Sequence, residues 1–144
     1  MADVDKRFDG WLFAENAVLG SLLIDEQAAP AILAAVDAGD IQQEKNRQIY
    51  QAARALMLAG APVDPVLIRD KLGQGIEGHI LQLMESTPTS ANWREYAEVM
   101  HQQAAMARIR DIAAELTSCV NVDECREHIA ALGQVLDTGK GVDA

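Results

Sequence analysis

Residues Asn92–Cys119 read NWREYAEVMHQQAAMARIRDIAAELTSC, a run with neither glycine nor proline. Such a run predicts one helix of about seven turns. Its apolar residues fall into two sets. Trp93, Ala97, Met100, Ala104 and Ala107 form one stripe, and Ala105, Ile109, Ile112, Leu116 and Cys119 form another. The two are displaced by roughly a third of a turn at about 100° per residue. One helix is therefore asked to satisfy two partners along its length.

The flanks define how that helix begins and ends. Thr87-Pro88 stops the preceding helix, because the residue before proline is pushed out of helical geometry. Ser90 or Asn92 can cap the start, and Asn92 with Glu95 fits a capping box. Beyond the run, Asn121 and Glu124 fit a second box, and Val122, Cys125, Ile129, Leu132 and Leu136 come after it at three–four spacing. That spacing is a coiled-coil seam. Two such helices joined by a short turn make an antiparallel helical hairpin over 89–137. A two-helix hairpin is a poor fold alone, so the leftover apolar surface predicts association with another chain; a hairpin folded back on its own head is the alternative. The candidate contact residues are Met100, Ala105, Ile109, Ile112, Leu116, Ile129, Leu132 and Leu136.

Upstream, residues 14–88 read as a small helical head of about five short helices, after an N-terminal arm at 1–13. In AENAVLGSLLID, Val18, Leu19, Leu22 and Leu23 recur at helical spacing. Gly20 costs about 1 kcal/mol there relative to alanine, so it predicts close approach of another helix. A second helix fits Gln27 to Val36, with Pro30 in its first turn. A third runs from Gln43 to Leu58, with Ile49, Ala53, Leu56 and Met57 inward and Gly60 ending it. Asp64-Pro65 starts a fourth, whose inward residues are Val66, Leu67 and Leu72. Ile76, Ile80, Leu81, Leu83 and Met84 mark a fifth. No segment alternates with β-branched enrichment, so the fold class is all-α. Residues 138–144 are a tail or the start of a linker.

Composition narrows the function classes. The 144 residues are 49% hydrophobic but only 4% aromatic, which suits closely packed alanine-rich helices and excludes disorder. The net charge of -10 opposes direct binding to nucleic acid, which depends on clustered Lys and Arg. No apolar run reaches the roughly 18 residues of a membrane span, Phe8 to Leu12 is too short for a signal segment, and Cys119 and Cys125 are the two cysteines. A cytoplasmic setting is expected.

The motifs that could carry chemistry do not hold up. Gly73, Gly75 and Gly78 spell a dinucleotide fingerprint, but a helix precedes them where a strand is required. Gly139-Lys140 resembles a phosphate loop with Gln134 and Gly141 in the wrong places. Cys119 and Cys125 match no zinc spacing and sit on seam positions, where cysteine acts as a small hydrophobe. His79, His101 and His128 are scattered over three helices. No catalytic constellation, cofactor site or metal site is expected.

Three ordered blocks carry a resemblance. AENAVLGSLLIDEQ, EKNRQIYQAARALMLAGAPVDPVLIRDKLG and HILQLMESTPTSANWREYAEVM together resemble the N-terminal domain of DnaB-type replicative helicases, over roughly Ala14 to Ala113. The specific parts are Glu15 with Ala17-Val18-Leu19-Gly20, Gly60 to Asp64, and Thr87-Pro88 through Ala91-Asn92 with Tyr96-Ala97. The resemblance implies a non-catalytic collar domain that pairs through heads and hairpins and recruits primase and loader proteins, with the ATPase motor downstream. The C-terminal region of bacterial primase has a related fold. Asn46-Arg47 replaces the family's usual His-Arg, the aromatic pair near Asp40-Ile41-Gln42 is missing, and the loop before His79 is shortened to GQGIEG. These departures bear on partner contacts more than on fold.

The expected function is a replication scaffold that self-associates as a homo-oligomer and binds a replicative helicase, primase or helicase loader. It is either a fragment of an ATP-driven helicase or a complete phage- or plasmid-type accessory. The alternative is a stand-alone acidic inhibitor or decoy acting on a replication protein by charge. Its binding would weaken steeply with salt, whereas an apolar hairpin interface would not. A small enzyme would need a cleft gathering scattered carboxylates.

Overall fold

The computed structural model describes residues 2–138, with side chains from 10 to 137. The glycine-lysine motif and the tail beyond 138 lie outside the described residues. The described residues form seven α-helices: α1 (Ala2–Ile24), α2 (Ala29–Ala35), α3 (Glu44–Leu58), α4 (Pro65–Leu72), α5 (Glu77–Glu85), α6 (Trp93–Thr117) and α7 (Val122–Thr138). Short 3-10 turns stand at Ala38–Asp40 and Gln74–Ile76. There is no strand among the described residues. Residues 2–13, expected as a separate arm, are continuous helix with the rest of α1.

The centre of the head is α1. Val18, Leu19, Leu22 and Leu23 are buried together with Ile32, Ile49, Tyr50, Ile68, Ile80 and Leu83 from the surrounding helices. Gly20 explains how α5 gets so close. A Cβ built there would sit 1.9 Å from Thr87 Oγ1 and 2.9 Å from the Leu83 carbonyl oxygen, so only glycine fits.

Several joints rest on polar groups rather than on apolar burial. Tyr50, deep in α3, bonds through its hydroxyl to the carbonyls of Leu33 and Val36, which end α2 and lack helical partners. Glu15 is fully buried and accepts from the backbone amides of Gln42 and Gln43 and from the side-chain amide of Asn46. It caps the entry to α3 from another helix, where Gln43 itself makes no side-chain cap. Asp25 accepts from the amides of Gln27 and Ala28 and from the Ser90 hydroxyl, tying the α1–α2 turn to the loop before α6.

Three helix ends that the sequence marks form as expected, and one does not. Gly60 takes φ 75° and closes α3 with bonds from Gly60 N to Met57 O and from Ala61 N to Leu56 O, a Schellman motif. Asp64 caps α4 by accepting from Val66 and Leu67 amides. Asn121 accepts from the Glu124 amide while Glu124 reaches back to the Val120 amide, one residue before the cap, a variant of the expected second capping box. At α6 the expected box does not form. Asn92 has φ -106° and ψ 20° and makes no side-chain cap bond. A capping residue typically holds extended backbone, which Asn92 does not.

Two inward assignments need correcting. In α4 the buried residue is Ile68, while Val66 is 55% exposed; in α5 Leu81 is 51% exposed. Both helices are short, and Leu67, Leu72 and Met84 pack only partly buried against the core beside Ile68, Ile80 and Leu83. The narrow stripe through Ile68, or through Ile80 and Leu83, leaves the neighbouring apolar residue outside.

Candidate interaction face of the helical hairpin

α6 meets two partners, as its two stripes require. Trp93, Ala97, Met100 and Ala104 are buried, and the first three of them belong to the head's core cluster. That corrects Met100, a predicted interface residue: its side chain is 1% exposed and belongs to the head. The second stripe turns to α7. Ala105 and Ile112 are buried, and Ile109 and Leu116 are half-buried.

A charged latch fixes how the hairpin leaves the head. Asp40, at the 3-10 turn after α2, is buried, and its carboxylate meets Arg108 Nη2 at 2.9 Å and His101 Nδ1 at 2.7 Å, both from α6. The Trp11 indole donates to the Asp40 carbonyl at 3.2 Å. A buried carboxylate is retained only when it is paired and hydrogen-bonded, and both partners come from one helix. The latch was not legible in the sequence, because Asp40 and Arg108 are 68 residues apart.

The register of the hairpin is set by Glu115 and His128, whose carboxylate and imidazole lie 3.0 Å apart. Further from the tip, Arg108 and Ile112 share a shallow groove with Ala131 and Val135. The face of α7 turned to α6 is therefore Glu124, His128, Ala131 and Val135, with Cys125 and Leu132 at its margin. This rotates the predicted seam. Val122, Ile129 and Leu136 were expected between the helices, and they are 66%, 57% and 57% exposed. Small Ala131 and the His128–Glu115 pair occupy the contact instead, which turns the larger residues outward.

An uncovered surface results. Val99 and Met106 on α6, with Val120 just past its end, are 41%, 42% and 82% exposed and recur at seven-residue spacing with Ala113. Half-buried Ile109 and Leu116 fill the intervening positions. Moving off the seam in the same rotational sense leads to Val120, Ala113 and Met106 along α6, and to Leu136, Ile129 and Val122 along α7. Because the helices are antiparallel, that common sense brings both ladders to one side of the hairpin. α1 covers the other side of α6. The exposed members of α6 were missed from the sequence, although the heptad spacing from Val99 to Val120 was present to be counted.

No group of three or more metal-ligating side chains occurs among the described residues, and no described helix is long and apolar enough to cross a membrane. A cavity of about 690 Å³ lies over the start of α3 between α1 and α5, lined by Phe13, Asn16, Lys45, His79 and Gln82. Burial, and then Lys45, hold His79 below the ordinary histidine range. Its Nε2 meets Asn46 Oδ1 at 2.6 Å, extending the Glu15–Asn46 network. Burial likewise raises the Glu15 carboxyl, against the pull of its Gln42, Asn46 and Gln43 hydrogen bonds. This network joins α1, α3 and α5 and has the character of a structural joint.

A family description, the DnaB-like helicase N-terminal domain, matches residues 12–102, well over half of the chain. The chain belongs to that family. The DnaB-like N-terminal domain also accounts for the relatives. The replicative DNA helicase DnaB of Leifsonia xyli subsp. xyli (strain CTCB07) is 27% identical over 113 residues, 74% of this chain and 25% of that protein. The replicative DNA helicase DnaB of Mycobacterium leprae (strain TN) is 28% identical over 105 residues, 68% of this chain and 17% of that protein. The chain thus spans a quarter or less of the length of these relatives. The crystal structure of the N-terminal domain of DnaB helicase from Mycobacterium tuberculosis superposes with a TM-score of 0.76 at 24% identity, covering 86% of this chain and 96% of that one. That likeness carries the all-helical fold. Residues 12–102 are thus the part of the chain that corresponds to the DnaB-like helicase N-terminal domain.

Proposed function

We propose that this DnaB-like domain is a replication scaffold that self-associates through the free face of its hairpin. Its head then serves as the docking body for a replicative helicase, primase or loader. The observation that carries this reading is the pair of apolar ladders, Val99 to Val120 along α6 and Val122 to Leu136 along α7, turned to one side and left uncovered. A second copy of the same hairpin offers the complementary ladders, and two hairpins face to face make a four-helix arrangement with a continuous apolar core. The DnaB names of the relatives support replication as the setting. The acidic balance supports contact with DNA through a partner.

Sedimentation over a concentration series tests it. The native chain is expected to self-associate with weak salt dependence. Ile129→Glu with Leu136→Glu is expected to sediment as a monomer of unchanged helical content, since both residues are exposed in the single chain. Association that persists in the variant, or that collapses with moderate salt in the native chain, contradicts the assignment and favours a charge-driven decoy.

A further inference from the structure

The hairpin tip holds two thiols on either side of its turn. Cys119 lies just past the end of α6, its amide bonded to the Leu116 carbonyl and its thiol to the Glu115 carbonyl at 3.5 Å. Cys125 lies in the first turn of α7, its amide bonded to Asn121 O. Both are free and half-buried. The Glu115–His128 pair sets the rung below them. One helical turn nearer the tip, the same register brings Cys119 opposite Glu124, with Cys125 next to it at the margin of the seam, and the Cys119 and Cys125 thiols interact. The capping bonds of Asn121 and Glu124 hold the connecting residues in place.

We propose that Cys119 and Cys125 are a modification site: a reversible intrachain disulfide that clamps the hairpin tip, formed by exchange with a low-molecular-weight disulfide such as oxidised glutathione. One cysteine thiolate attacks a glutathione sulfur, the glutathione S–S bond breaks, and one glutathione thiolate leaves and takes up a proton. The second cysteine gives its proton to solvent and attacks the protein-bound sulfur of the mixed disulfide, expelling the second glutathione. Two cysteine thiols are oxidised and one small disulfide is reduced to two thiols.

Burial pushes the Cys119 thiol up to about 11, helped by its hydrogen bond with Cys125. The clamp therefore closes slowly near neutrality and faster as pH rises, since the thiolate is the attacking species. It is a device poised by the redox balance of its surroundings rather than a fast sensor. Closure stiffens the segment that carries Val120 and Val122 without touching the head.

The test equilibrates the whole chain in buffers from fully reduced to fully oxidised glutathione, then traps free thiols by alkylation and reads intact mass. The expected result is concerted loss of both alkylatable thiols, with the single chain lighter by about 2 Da and free of glutathione, as two-electron oxidation requires. Cys119→Ser and Cys125→Ser, each with one thiol, are expected to hold glutathione as a stable adduct instead. Three outcomes overturn the proposal: persistent glutathione adducts on the native chain, a disulfide between chains, or two thiols still alkylatable in the most oxidised buffer. None depends on whether the hairpin self-associates.

Discussion

At the scale of single residues, close approach and buried hydrogen bonds set the sensitivities. Gly20→Ala gains about 1 kcal/mol of helix propensity. The new methyl meets the Leu83 carbonyl as well as Thr87, and backbone cannot step aside. Overpacking of this kind costs about 1–3 kcal/mol, so a net loss of stability is expected in urea unfolding. Glu15→Ala strips the Gln42 and Gln43 amides and the Asn46 carboxamide of a shared acceptor. At about 1–3 kcal/mol for each buried donor left unmade, it is expected to be the most damaging single change in the head. His79 gives a pH signature. Its folded value is depressed, so its contribution is fully present above the ordinary histidine range and is lost as pH falls through the folded value. Melting temperature measured against pH is expected to fall on the acid side more steeply for the native chain than for His79→Gln.

At the scale of elements, the two helix starts of the hairpin separate apparent from actual caps. Asn121 accepts the Glu124 amide, and Asn92 makes no cap bond. Asn121→Ala is expected to cost about 1 kcal/mol and Asn92→Ala only a few tenths, by parallel denaturation curves. Periodicity and punctuation made most of the elements legible in the sequence: the long α6, the Asp64-Pro65 start, the glycine after α3 and the break at Thr87-Pro88. Which apolar residue of a short helix faces inward was less legible, because α4 and α5 each bury a stripe narrower than their sequence offers. The rotation of α7 was not legible at all. Heptad spacing identifies a seam without naming its partner, and only the Glu115–His128 pair shows that Ile129 and Leu136 are turned away from α6. The same ambiguity put Met100 in the interface, since one helix bearing two stripes does not say which of them the head claims.

For the whole molecule, the latch decides how the arm is presented. Asp40 is 2% exposed and takes bonds from Arg108 and His101. Asp40→Ala leaves Arg108 and His101 without their buried carboxylate. Discounted for the partial exposure of Arg108, the expected cost is about 2–3 kcal/mol, with amide exchange quickening along the base of α6 before the head unfolds. A rigid arm suits the proposed self-association through its exposed apolar residues, and an arm free to swing does not. Amide hydrogen exchange of the native chain at low and high concentration tests this most directly. We expect added protection at high concentration along α6 from Val99 to Val120 and along α7 from Val122 to Leu136, with the head unchanged. Exchange that ignores concentration, or protection gained in the head while the hairpin stays as it was, would contradict an apolar hairpin face built for a second copy.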